Sequence, residues 1–357
     1  MTHSLFGEAQ PDGHGPVEAV AATDEITRLG RHLPASVYFG TSSWSFPGWR
    51  GLVYEDEHTE ARLARDGLPA YCRHPLLRSV GIDRGYYQAL GAGEWARYAH
   101  QVPGHFRFVI KAPSMITDAV SRATGHGSHA AEPNAHFLDA AFATERFVLP
   151  AIEGLGEKLG ALVLQFAPMP AVVTRDTQAL IGRIAEFLGK LPRLRADAGP
   201  APVYAVELRN PELLTPRLVH AIREAGARLC LGIHPRMPGA ARQAAALRSM
   251  DAAPQPAAPG PSAAPSTAES WTLAGPLVVR WNLHSGLRYE QARTRYAPFD
   301  RLVDVDVVTR GTVVHLIRVA LRSRQPAFVI VNNKAEGCAP QSCVELARAL
   351  LTPAPDA

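Results

Sequence analysis

A chain of 357 residues is long enough for one large barrel or two ordinary domains, because the buried fraction of the surface grows with size. A hydrophobic share of 46% beside 20% charged residues is that of a globular chain and excludes one that is disordered throughout. The net charge of +4 comes from arginines spread along the sequence instead of a block, which supports nucleic-acid binding only weakly.

The opening MTHSLFGEAQPDGHG lacks the charged start and apolar centre of a secretory leader. No apolar run approaches the about 20 residues of a membrane helix, so no membrane partner is expected and the chain is placed in the cytoplasm. Residues 1–36 are rich in Gly, Pro, Ala and His without sustained periodicity and read as a partly disordered, flexible N-terminal tail with a short helix near 19–29. Short β-rich apolar runs then begin: VYFGT at Val37, RSVGID at Arg78 and FRFVIKA at Phe106, with helical spacing over 93–101. GHGSHAAEPNAH follows as a Gly- and His-rich loop, read as a solvated lid. A helix is predicted over 134–155, a strand ALVLQF at Ala161, a helix over 175–189, VYAVELR at Val203, a helix over 211–225 and RLCLGI at Arg228. From Pro238 to Ser270 the chain turns Pro/Ala-rich, with too few large apolar side chains to bury, and reads as a low-complexity insertion between strands six and seven. PLVVRWN at Pro276, a helix over 311–323, AFVIVNN at Ala327, a helix over 341–351 and a short tail at 352–357 complete the chain.

Alternation of strand and helix is the signature of β/α units. Eight parallel strands can close on themselves around a filled interior. An open nucleotide-binding sheet would carry a glycine-rich phosphate turn after its first strand, and GTSSWSFPGW is not GxGxxG. The expected fold is therefore α/β, a TIM-type (β/α)8 barrel forming a single domain over 37–351. The four cysteines, Cys72, Cys230, Cys338 and Cys343, suit a reducing compartment better than a disulfide framework.

In such a barrel the functional face lies at the C-terminal ends of the strands. Those ends carry Ser43 and Trp44, Asp83 with Tyr86 and Tyr87, Lys111, Gln165, Glu207 with Arg209, His234, Arg280 with Asn282 and His284, and Asn332 with Asn333 and Lys334. Lys111, Glu207 and Arg280 lie within or beside apolar runs, where a lone charge is expensive, so they are expected to meet at the mouth. Glu207 flanked by Lys111, Arg209 and Arg280 is either a structural ion-pair network or an acid–base carboxylate beside an anion holder. Trp44, Trp49, Tyr86 and Tyr87 are either a stacking wall for a ring or sugar, or ordinary packing. Asp83, Glu207, His234 and His284 are the only set that could share a metal ion at one mouth; a divalent metal is not favoured.

At these same residues the chain resembles the YecE-like family, known as domain of unknown function 72. GTSSWSFPGWRGLVY is similar to that family's first strand and loop, FRFVIKAP to its third strand and LGALVLQFAP to its fourth. YAVELRNPELL resembles its fifth, VVRWN its seventh, and FVIVNNKAEGCAPQSC its closing asparagine pair and helix; together these span roughly 37–351. The resemblance implies a TIM-type barrel with an unassigned role. It carries over Gly40, Trp44, Lys111, Gln165, Glu207, Arg209, Arg280, Asn332 and Asn333. The chain departs from the family's VEINSTFY at the second strand, where VGIDRGYY puts Gly81 in place of the glutamate and Asp83 in place of the asparagine. HSGLRY also replaces the usual glycine-led loop after strand seven.

The expected function is an enzyme, of hydrolase, lyase or isomerase type, acting on a small anionic or carbohydrate-like ligand. Glu207 would move the proton with Lys111 and Asp83 as catalytic partners, and Lys111, Arg209 and Arg280 would hold the anion. Ser43, Trp44, Tyr87, Gln165, His234, Asn282, Asn332 and Asn333 would complete the ligand site. The competing readings are a metal-dependent phosphodiesterase or nucleic-acid-binding barrel using Asp83, Glu207 and His234, and a non-catalytic small-molecule-binding barrel.

Overall fold

Eight strands form where the eight apolar runs stand: β1 Val37–Thr41, β2 Leu77–Ile82, β3 Arg107–Lys111, β4 Leu159–Gln165, β5 Val203–Glu207, β6 Arg228–Ile233, β7 Leu277–Trp281 and β8 Ala327–Val331. They are almost wholly buried, as strands covered on both faces must be, which is why they read as continuous hydrophobic runs. These are features of a computed structural model that describes residues 15–121, 132–196, 199–252 and 271–353. Every strand pairs in parallel with its sequence neighbour, and β8 pairs with β1 from Val37 opposite Ala327 to Thr41 opposite Val331, closing the ring. The (β/α)8 barrel expected from the sequence is the fold.

One face of each strand fills the interior: Tyr38, Val109, Ala161, Val163, Val203, Ala205, Cys230, Val278, Phe328 and Ile330 form a separate apolar cluster. Tyr38 stacks on Phe328 at 5.0 Å between ring centroids. The opposite faces pack against the helical layer in a second, larger cluster. At Gly40 the β1–β2 register shifts, and a Cβ there would stand 2.2 Å from the Ser79 carbonyl oxygen, so only glycine lets the two backbones approach. The Tyr71 hydroxyl accepts from the Thr41 N–H and donates to the Ser79 carbonyl across the same irregularity.

The principal helices are α1 Asp24–His32, α2 Glu60–Asp66, α3 Ala92–His100, α4 Leu149–Leu155, α5 Thr177–Lys190, α6 Pro216–Glu224, α7 Ala240–Asp251, α8 Tyr289–Tyr296, α9 Val307–Arg322 and α10 Ala339–Leu351. Several start at side-chain caps: Thr23, Asp176, Thr215 and Asp306 each accept an N–H three residues on.

Three stretches differ from the sequence reading. In the N-terminal stretch the short helix expected near 19–29 stands at 24–32 as α1, but it is docked: it buries Leu29 and ties Glu25 to Arg348 of α10 at 2.7 Å. The first 14 residues lie outside the described residues. The helix expected over 134–155 starts only at Ala140 and passes through a π turn at Thr144–Val148. Asn134 accounts for the late start, because its amide donates to the Met115 and Asp118 carbonyls while its carbonyl accepts from the His136 N–H. Finally, residues 240–251, placed in the low-complexity insertion, form α7 with Leu247 and Met250 buried. Prolines on either side masked a proline-free run of Ala, Leu, Gln and Arg with good helix propensity. Residues 253–270, most of the lid (122–131) and the last four residues of the C-terminal tail lie outside the described residues. No helix among those described is long and apolar enough to cross a membrane.

Candidate active site at the barrel mouth

Strand periodicity of two decides which polar residues reach the mouth. Val109 faces inward, so Lys111 does; Val163 brings Gln165, Ala205 brings Glu207, Cys230 brings Gly232, Val278 brings Arg280 and Ile330 brings Asn332. Asn333 falls on the other parity. Its Oδ1 accepts from the Ala339 N–H at 2.8 Å at the start of α10, a helix-positioning bond away from the mouth.

Glu207 and Arg280 sit at the centre of an ion network. The fully buried Glu207 accepts from Arg280 Nη1 at 2.7 Å and from Asn282 Nδ2 at 3.2 Å, and forms an ion pair with Arg209 Nη2 at 2.5 Å. Arg280 Nη2 donates to both oxygens of Asp83 at 2.8 Å, and its Nη1 also reaches Gln165 Oε1 at 3.3 Å. Burial alone raises the Glu207 carboxyl, but Arg209, Arg280 and Lys111 outweigh it and hold the group below its ordinary value. Arg280 moves upward, because Asp83 and Glu207 overcome the effect of burial. Two carboxylates and two guanidinium groups cancel, and the network is electrically closed. A carboxylate this deeply paired is a poor proton acceptor, and Arg280 has both terminal nitrogens engaged. The geometry therefore places Glu207 and Arg280 inside a closed ion network instead of presenting them as a free carboxylate and a free guanidinium.

Beside this network a cavity of about 540 Å³ opens over β3 to β6, lined by Tyr86, Lys111, Gln165, Ala167, Pro168, Arg209, His234 and Arg236. Its polar lining consists mainly of donors. Lys111 is buried, and its Nζ lies 3.5 Å from the centre of the Tyr86 ring with no ion pair among the described residues. Burial is the largest influence on it, and with Arg280 and Arg209 it outweighs Asp83 and Glu207 to lower the ammonium to about 8. Arg209 is also buried, and its Nη1 has no hydrogen-bond partner. Gln165 spends its carbonyl oxygen on Arg209 and Arg280, which leaves the amide NH2 for the cavity. His234 accepts the Arg236 N–H at Nδ1, so its proton is on Nε2. Burial first, then Arg209, lowers this imidazole to about 4 and keeps it neutral. Arg236 is exposed at the rim.

The other expected ligand residues do not line this cavity. Trp44 is buried with its Nε1 bonded to the Leu63 carbonyl and its ring edge-on to Tyr98, so it packs in the outer layer. Tyr87 is 87% exposed and meets the edge of Tyr86; a 3-10 turn at Arg84–Tyr86 turns Tyr86, not Tyr87, into the cavity. The Tyr86 hydroxyl donates to Asp118 Oδ2 at 2.8 Å. Ser43 bonds Ser45, Asn332 bonds Ser42 and the Lys334 N–H, and Asn282 braces Glu207. The set Asp83, Glu207, His234 and His284 is not gathered as metal ligands, and among the described residues no three His, Cys, Asp or Glu side chains are. His284 Nδ1 accepts from the Gly286 N–H in the turn after β7. The sequence reading overlooked Arg236, whose only signal was a basic residue two positions past the strand-ending His234.

A family model described as protein of unknown function DUF72 matches residues 38–356. Among solved structures, a DUF72 family protein from Thermotoga maritima MSB8 is similar with a TM-score of 0.52 and 17% identity, over 88% of this chain and 98% of that one. A DUF72 family protein from Enterococcus faecalis V583 gives a TM-score of 0.50 and 18% identity, over 89% and 96%. At such identities the likeness extends to the fold alone. No curated protein matches the chain.

Proposed function

The chain belongs to the DUF72 family of proteins of unknown function, and on that premise we propose that it is an enzyme that binds a small anionic metabolite in the Lys111–Arg209 cavity and transfers a proton through Lys111. One observation carries this reading: a buried ammonium with no carboxylate in ion-pair contact among the described residues stands on a cavity wall rich in donors. An acceptor-rich ligand satisfies such a wall, and Arg209 Nη1 is a buried donor on it without a hydrogen-bond partner among the described residues. A lysine lowered to about 8 is an acid and base matched to neutral pH, which a lysine at its ordinary value is not. Asp83, Arg280, Glu207 and Asn282 serve as the rigid support that aims Arg209 and Gln165. Nucleic acid and carbohydrate fit less well, since Tyr86 is the one Phe, Tyr or Trp side chain on the lining among the described residues and the wall offers no aromatic stack for a base or sugar ring.

The test incubates a pool of anionic metabolites with the protein and with Lys111→Met, and follows loss of any species by mass spectrometry. Consumption by the wild type alone, with inorganic phosphate or acetate competing, is the expected result. Equal consumption by both proteins removes Lys111 from the chemistry. Saturable anion binding without any turnover leaves a binding barrel instead of an enzyme.

A further inference from the structure

The charge around the cavity can be counted. Asp83 and Glu207 neutralise Arg280 and Arg209 through direct ion pairs. Lys111 and Arg236 remain, both on the cavity lining and neither in an ion pair among the described residues. The third nitrogen base, His234, is a neutral donor through Nε2. The wall therefore presents two uncompensated positive charges, together with the unbonded Arg209 Nη1, the Gln165 amide and the His234 Nε2–H. A carboxylate brings one negative charge and two acceptor oxygens, and would leave both a charge and several donors unanswered. A phosphomonoester dianion brings up to two negative charges and three terminal acceptor oxygens. Resting on the anion-binding reading above, we infer that the cavity selects a phosphate dianion, so that the ligand is a small phosphomonoester whose terminal phosphate lies between Lys111, Arg209 and Arg236.

Arg236 then becomes a specificity residue. It is exposed at the rim, and among the described residues its side chain makes no hydrogen bond or ion pair to the network, so replacing it alters the charge count without disturbing the scaffold. Its neighbour His234 gains a reason for its neutrality: an imidazole already charged would add a third positive group beside Arg209, whereas the neutral ring donates one hydrogen bond. The groups facing Lys111 are Tyr86, Asp83, Glu207, Arg209 and Arg280; the two carboxylates and the Tyr86 ring face favour its charged form, and the two guanidinium groups oppose it.

The experiment is calorimetric titration at pH 7.5 with methyl phosphate and methyl sulfate, which share a shape and differ by one charge. Methyl phosphate is expected to bind at least ~10-fold more tightly, since one added unit charge near several cations is worth a kcal/mol or more at protein surfaces. Arg236→Gln is expected to shrink that ratio several-fold while its melting temperature stays at the wild-type value. Methyl phosphate affinity is expected to rise from pH 5 to 7 as the ester loses its second proton near ~6, and to fall above about 8 as Lys111 loses its own. Equal affinity for the two esters overturns the dianion inference and leaves the anion site standing. Binding of neither ester overturns both.

Discussion

At the residue scale, Glu207 shows how a charged side chain is made tolerable inside a barrel. Its carboxylate has two hydrogen-bond donors and a further ion-pair partner, and the space for it comes from Gly232, where a Cβ would stand 2.7 Å from Glu207 Cγ and 3.0 Å from Oε1. Gly232→Ala is expected to push Glu207 off its partners, lowering stability by ~1–3 kcal/mol and weakening phosphate binding through Arg209; thermal melting and titration of the same sample check both. Lys111 presents the opposite case, a charge held in place at a loss. In the unfolded chain it titrates near 10.5 and in the folded protein near 8, so between these values the unfolded state binds more protons and stability climbs with pH. Below about 8 the buried ammonium is a full liability. Lys111→Met is therefore expected to raise stability at pH 7 by ~1–3 kcal/mol after loss of the contact to Tyr86, with the gain shrinking above pH 8, as denaturant unfolding at several pH values will show. A variant less stable than wild type at pH 7 would mean that the ammonium has a stabilising partner.

At the scale of elements, α7 and β6 are coupled at both ends. Near the mouth, Gln243 of α7 holds the Gly232 N–H and carbonyl at 3.0 and 3.1 Å, fixing the strand at the point where Glu207 needs room. At the other end, Arg228 opens β6 with a buried bidentate pair to Asp251 at 2.5 and 2.6 Å. Removing one partner of a buried pair leaves the other charge stranded, and Asp251→Ala is expected to cost ~3–5 kcal/mol. Because this pair stands at the start of β6, away from the mouth, phosphate affinity should stay at its wild-type value; a parallel loss of affinity would show that the helix, and not only the strand, shapes the cavity. The helix itself was hidden in the sequence by flanking prolines, since compositional bias over a long window outweighs a short helical run. Asn134 misled in another way: a helical pattern continued through it, but its side chain competes for backbone groups that a helix would need.

At the scale of the molecule, ring closure turns eight local signals into one site. The sequence alone determined the strands, their order and the barrel, because burial on both faces and β/α alternation are written in hydrophobic runs and hardly depend on distant residues. It also determined which strands carry charge into the interior, since Lys111, Glu207 and Arg280 have no other place to put it than the mouth. Roles within that mouth needed the tertiary structure. Glu207 and Lys111 look alike in a sequence, each a charge at a strand end, and only distances to Arg209 and Arg280 show that one is saturated and the other unpaired. Tyr86 and Tyr87 are adjacent, and a single 3-10 turn decides which faces the cavity. Asn333 and Trp44 read as ligand groups until strand parity and packing sent them outward. The physical reason is that periodicity and burial are local and additive, whereas a side chain's role depends on partners brought to it from distant positions, as Asp83 is to Arg280 across 197 residues.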